Sequence, residues 1–170
     1  INTSRIVALA NGQEIVWDKP LELNLKARNT ATGPVLDELA CRADFLSLWA
    51  QGTPDNATFK AACKLDHLMT ELNRFANLES YRLAGRIDAG LTVRRLSPDI
   101  LRGAASAIVK NFSFSKPGNP PAPPWEEPQL VLAAGGDLVS QPNKPRQIQN
   151  LSVRVTAGGD ELQITQTEPL

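Results

Sequence analysis

Imidazole is almost missing from this sequence, whose 170 residues contain one histidine, His67. Multi-histidine metal sites and histidine-rich catalysis are therefore excluded. Thiols are as scarce, with Cys41 and Cys63 alone. They lie 22 positions apart, which is neither a zinc spacing nor a CxxC redox motif. Net charge is absent as well. The 18 Lys and Arg offset 18 Asp and Glu, with no basic block. Nucleic acid, which rewards a concentrated positive surface, is not an expected partner. No apolar run is long enough to span a bilayer, and no signal-peptide pattern is present. The first residue is Ile1 rather than Met, so a chain processed or cut from something longer is expected. The length suits one domain, or a piece of a larger one, with a real core.

What the sequence has is alternation. Leu21 to Arg28 alternates apolar and polar without a fault, the mark of a half-buried strand. Leu39, Cys41, Ala43 and Phe45 share a face of the next run, which is read as continuing through Trp49 to a turn at Gly52. Phe59 to Cys63 returns as a shorter strand. A turn centred near Pro54 sets Cys63 opposite Asp44 or Phe45, not Cys41, so two free thiols are expected. Leu83, Gly85, Ile87, Ala89, Leu91 and Val93 form the apolar face of a long strand, the candidate wall of an apolar groove. Its small residues, with Ala105 and Ala107, permit close approach or strong curvature. Segments 101–114, 130–139, 147–157 and 161–167 complete the set. Asn11-Gly12 and Gly158-Gly159 read as hairpin turns, as does Gly135-Gly136-Asp137.

One stretch is helical. Leu65, Leu68, Met69, Leu72, Phe75 and Ala76 fall on one face, giving a helix over 66–77 with Asp66 as N-cap. Residues 116–128 read KPGNPPAPPWEEP, an extended loop whose prolines cannot pair in a ladder. Pro120, Pro121, Pro123, Pro124 and Trp125 are the candidate partner-binding residues of that loop. The expected fold is mainly β, an antiparallel twisted meander of about eight or nine strands with this one helix packed on it.

A weak internal repeat runs through the chain. Trp17-Asp18-Lys19-Pro20-Leu21 recurs as Trp125-Glu126-Glu127-Pro128-Gln129, shifted by 108. Glu38 to Ala43 resembles Asn150 to Val155, shifted by 112. Residues 1–170 then form a single β-rich fragment of a longer repeat protein, about one and a half units, and repeats of this kind need neighbours or caps.

Motifs for chemistry are lacking. His67 has no nucleophile or orienting acid in a recognisable pattern. No serine sits in a G-x-S-x-G elbow, and no carboxylate pair has a glycosidase pattern. The two Gly-Gly-Asp stretches precede strands, so they are not phosphate loops. No catalytic residue, metal ligand or cofactor site is expected. Arg82, Arg86, Arg94, Arg95 and Arg102 form a moderately basic stretch, read as a solvated face or, more sharply, as an anionic head-group site.

Lys64 to Leu72, Tyr81-Arg82-Leu83-Ala84-Gly85-Arg86-Ile87-Asp88-Ala89 and Val109-Lys110-Asn111-Phe112 together resemble the AsmA-like envelope proteins of bacteria. The resemblance spans roughly Ile6 to Thr167. It implies a segment of a periplasmic parent anchored in the inner membrane, whose sheet curls into a groove for lipid acyl chains or serves outer-membrane assembly. It brings no catalytic residues. The helix and the proline loop depart from the simplest members. Lipid or an envelope protein is the implied partner, and the fragment itself is expected to be a monomer. A protein-binding envelope scaffold is the alternative reading.

Overall fold

In a computed structural model of the chain, residues 2–3, 6–10, 13–17, 19–74, 76, 78, 80–116, 123–142 and 144–168 are described, with backbone alone before Lys19. The strands are β1 (Asn2–Thr3), β2 (Ile6–Ala10), β3 (Gln13–Trp17), β4 (Leu21–Thr30), β5 (Gly33–Arg42), β6 (Leu46–Thr53), β7 (Asn56–Lys64), β8 (Arg82–Ser97), β9 (Ile100–Ser115), β10 (Trp125–Val139), β11 (Gln147–Ala157) and β12 (Asp160–Thr165). One helix, α1 (Leu65–Leu72), follows β7 directly. Strands β4 to β12 form one open antiparallel sheet in strict chain order, with β1 added beside β4. The hairpin β2–β3 is a separate sheet. Its Asn11-Gly12 turn lies outside the described residues.

The meander follows from the alternation. Each strand carries one apolar face, and a strand that turns back on its predecessor keeps that face on the same side. Registry then lines the apolar residues up across the sheet. One row runs Leu23, Cys41, Leu48, Ala61, Ala89, Ala107, Leu132, Val155, Leu162. The next runs Leu25, Leu39, Ala50, Phe59, Leu91, Ala105, Ala134, Val153, Ile164. No polar side chain interrupts either row over nine strands. The opposite face carries Asn24, Trp49, Lys60, Ser106, Arg154 and Gln163 in one such row. There Lys60 sits 5.5 Å from the centre of the Trp49 ring.

Four expectations are corrected. Residues 39–52 are not one strand: the chain reverses at Ala43–Phe45, closed by hydrogen bonds between Ala43 and Leu46. Adjacent apolar residues Phe45 and Leu46 shift the phase of the alternation there, and Phe45 is buried in the turn. Cys63 consequently faces Leu46, not Asp44 or Phe45. Both thiols are free.

The helix is shorter than 66–77 and starts a residue earlier. Lys64 takes the N-cap position in an extended conformation, and no side chain caps it. Asp66 lies inside the first turn instead, where its charge suits the positive end of the helix. After Leu72 the chain continues in turns: the Arg74 amide donates to the Glu71 carbonyl three residues back. Asn73 there favours such turns over helix. Phe75 and Asn77 lie outside the described residues.

Gly135-Gly136-Asp137 is not a hairpin turn. It lies within β10, at a bulge in the pairing with β11. A hairpin would need the flanking halves to pair with each other, whereas β10 pairs along its length with β9. Finally, the ladder reaches into the proline-rich segment, since Trp125, Glu126 and Glu127 pair with Phe114, Ser113 and Phe112. The register passes over Pro128 to Gln129, so its missing donor costs no pair there.

Candidate functional site

The two apolar rows share one face of the sheet. Residues from seven strands, Leu39 on β5 to Val153 on β11, line one groove of about 500 Å³. Its middle is made of small side chains: Ala61, Ala89, Ala105, Ala107 and Ala134. Its walls are larger: Leu48, Phe59, Leu91 and Leu132, each between 36% and 40% exposed. A second hollow of about 400 Å³ continues it past Phe59, along Ala57, Val93, Leu36 and Pro34. Small residues in the middle with large ones around them shape a channel, because among the described residues no side chain reaches over the alanines.

One end of this face is covered. The row Leu46, Cys63, Ile87, Val109, Leu130, Ala157 lies beneath α1. Leu65 at 4% exposure, Val109 at 7% and Leu130 at 8% form the buried cluster, with Leu68, Leu83 and Phe112 packed against it. Glu71, on the last turn of α1, is buried and holds Lys19 at 2.8 Å and Arg74 at 3.3 Å. This pairing raises the Lys19 pKa above its ordinary value. It ties the helix to the segment entering β4. Burial, helped by the nearby Asp66 charge, pushes the Cys63 thiol up, which favours an inert thiol over a nucleophilic one.

The other end is open and polar. The connections after β6, β8 and β10 gather there. Arg95 donates from Nε to Asp55 at 2.5 Å and from Nη1 to the Pro98 carbonyl at 2.8 Å. Arg95 and Arg146 share a hollow of about 260 Å³ with Leu101 and Leu138. On the outer side Arg102 grips buried Asp137 with two bonds of 2.7 and 2.9 Å, and Asn150 adds a third of 2.8 Å. Arg102, then Asn150, hold the Asp137 carboxyl down at a pKa of about 2. Asn150 reaches it by taking a positive φ of 55° at the bulge.

The six residues proposed as a groove wall divide by position. Ala89 and Leu91 line the groove, Val93 lines its continuation, and Ile87 and Leu83 pack beneath α1. Gly85 forms a bulge, where a Cβ would stand 2.9 Å from the Lys110 carbonyl oxygen. Of the loop residues, Pro123 and Pro124 are exposed, and Pro120 and Pro121 lie outside the described residues. Trp125 is half-exposed and packs edge-on against Phe112, with ring centres 4.8 Å apart. The arginines are dispersed: Arg86 is bound by Asp88, whose carboxyl it lowers, while Arg95 and Arg102 serve the far end. His67 is half-exposed, 3.7 Å from Asp66. Among the described residues no group of His, Cys, Asp and Glu is arranged to hold a metal ion. Also among them, no helix is long and apolar enough to cross a membrane. Leu48, Phe59, Leu132 and Ala134 are groove residues that alternation marks as apolar without linking them. Only registry across strands does that.

No protein-family model, curated protein or solved structure matches this chain.

Proposed function

We propose that this chain is a non-enzymatic segment of a longer envelope β array, and that its groove holds the acyl chain of a lipid. The single observation behind this reading is the uncovered apolar face. Two uninterrupted rows cross nine strands, and the groove between their large residues has an alanine floor. A sheet face destined for the protein's own core is closed by a second layer. Among the described residues, an eight-residue helix covers one end only. Full burial of a leucine-sized side chain is worth about 1.5–3 kcal/mol, and with a little over a third of Leu48, Phe59, Leu91 and Leu132 exposed, an apolar occupant still gains about 0.5–1 kcal/mol at each. A methylene chain suits a smooth, narrow, non-polar channel that offers it no hydrogen-bonding group.

Lipid transport between membranes, or a role in outer-membrane assembly, fits this occupant. The resemblance of residues 81–89 and 109–112 to AsmA-like strands supports the periplasmic setting. Array character is supported by the edges. Leu162 and Ile164 on β12 stay 59% and 57% exposed, yet they continue both rows. The same edge favours the second reading, a protein-binding scaffold, because an exposed strand edge is a template for another strand. Organic extraction of the purified chain followed by mass spectrometry tests the lipid reading. Acyl lipid at near-equal molar ratio is the expected result. A lipid-free chain that also takes up none when incubated with vesicles would refute it.

A further inference from the structure

We propose that a second copy of this chain pairs along β12, antiparallel about a two-fold axis at Gln163, so that two sheets join into one. The proposal needs only the β12 edge and stands apart from the lipid reading. It departs from the monomer expected from the sequence. The two edges of the sheet differ. At the β4 edge, β1 occupies Leu21 and Glu22. Beyond them lie the charged Lys26 and Arg28 and a register shift after Lys26. Cover, charge and a bulge are the devices that keep an edge strand from pairing further. β12 carries no proline, no lysine and no bulge. Its charges, Asp160 and Glu161, sit at the hairpin end, and Glu161 is met by Arg154 at 3.4 Å. Every residue of β12 is exposed, and among the described residues β11 is its only neighbour in the sheet.

Backbone direction and side chains select the same register. The Gln166 amide donates to the Leu151 carbonyl at 2.8 Å. Along an antiparallel strand, successive residues turn their N–H and C=O groups to alternate sides. Leu162 and Ile164 therefore bond toward β11, and Glu161, Gln163 and Thr165 turn theirs outward. An axis at Gln163 sets it against its own copy and Glu161 against Thr165 of the second copy, with both backbone bonds exchanged at each pair. Leu162 then opposes Ile164 of the second copy at a non-hydrogen-bonded position, where side chains come closest. No like charges face each other. An axis at Leu162 would set Asp160 against Ile164, and one at Ile164 would set Leu162 against Gln166, past the end of β12. An axis at Glu161 would oppose two carboxylates. The two-fold also keeps both inner faces on one side. The apolar rows that end at Leu162 and Ile164, 59% and 57% exposed, run on into the second copy. β4 and β12 run in the same direction, so head-to-tail pairing would keep the faces together only as a parallel ladder, and on the defended edge. A closed two-fold contact is also the commonest form of homo-oligomer.

Sedimentation equilibrium of the whole chain is the first test. A monomer–dimer equilibrium with a Kd of about 10 μM is expected, the weak class that one short strand edge supports. Gln163→Pro deletes an outward N–H that β11 does not use, so dimer affinity should fall at least about tenfold while the circular-dichroism spectrum of the monomer is kept. Should that variant fail to fold, cysteine pairing decides. Gln163→Cys meets its own copy across the axis at a Cα separation of about 5.5 Å, within disulfide reach, and mild oxidation should link it. Glu161→Cys stands about 14 Å along the strand from its own copy and should not link. Peptide mass spectrometry separates these links from any at Cys41 or Cys63. A chain that stays monomeric well above the expected Kd, as when a further stretch of its own chain seats on β12, would overturn the proposal. So would a dimer that links through Glu161→Cys and not Gln163→Cys, or one that keeps its affinity in a folded Gln163→Pro. Acyl binding is untouched by any of these outcomes.

Discussion

The two ends of one sheet face behave as two different materials. Beneath α1, the apolar row is packed, with Leu65, Val109 and Leu130 at 8% exposure or less. A few residues along the same strands, Leu91 and Leu132 are more than a third exposed. The side chains are of the same kind, the strands are the same, and only the cover differs. The covered end is therefore the protein's core, and the other end keeps large apolar side chains more than a third exposed.

This contrast can be broken by substitution. The largest effect should come at the covered end. Leu65→Ala is expected to cost about 2–4 kcal/mol, measured by urea unfolding, because it opens a cavity among Val109, Leu130 and Ile87. Leu91→Ala, by comparison, should cost under about 1 kcal/mol, since its side chain already meets solvent. Equal losses at the two sites would erase the distinction. The opposite ranking should hold for ligand. Ala105→Trp fills the floor of the groove without crowding a packed core, so the melting temperature should barely move while affinity for an uncharged acyl probe falls by at least about tenfold, the equivalent of roughly 1.4 kcal/mol.

Acid sharpens the comparison from outside the groove. The folded Asp137 carboxyl titrates at about 2, below its unfolded value near 4. The stability it contributes is fully present above the unfolded value. It is lost as the pH falls from about 4 toward 2, because the unfolded state then binds the proton more readily. Asp88, lowered by Arg86, acts in the same direction. In Asp137→Asn the slope of melting temperature against pH in that window should flatten. An unchanged slope would mean that Arg102 and Asn150 do not hold the charge. The smallest effect is expected at His67, whose change to Gln should leave both stability and acyl binding within error, as for an ordinary surface site.

Much of the fold can be read in the residues. Alternation over Leu21 to Arg28 and Leu83 to Val93 marks β4 and β8, and the meander follows from short turns between such strands. Two failures have plain causes. The reversal at Ala43–Phe45 uses neither glycine nor proline, so its one sign is the phase shift at Phe45 and Leu46. Gly135-Gly136 carries turn chemistry but is paired on both sides, in unbroken register with Ala104 and Gly103 on β9 and through a bulge with β11. The helix was visible by its stripe but not by its end, because Asn73 stops it before Phe75 completes the pattern. The groove was half legible. One strand shows that Ala89 and Leu91 share a face, but which residues of six other strands join them is a matter of registry, a non-local property. The hollow beside Arg95 and Arg146 is less legible still, since the strands that line it meet only through the meander.

Photo-crosslinking with a phospholipid carrying a diazirine in its acyl chain tests the central claim most directly, once the labelled peptides are mapped. Labels confined to the inner rows, at Leu48, Leu91, Ala107 and Leu132, and lost in Ala105→Trp, are the result the account predicts. Labels on the outer row at Asn24, Arg154 and Gln163, or an unaltered pattern in Ala105→Trp, would contradict it.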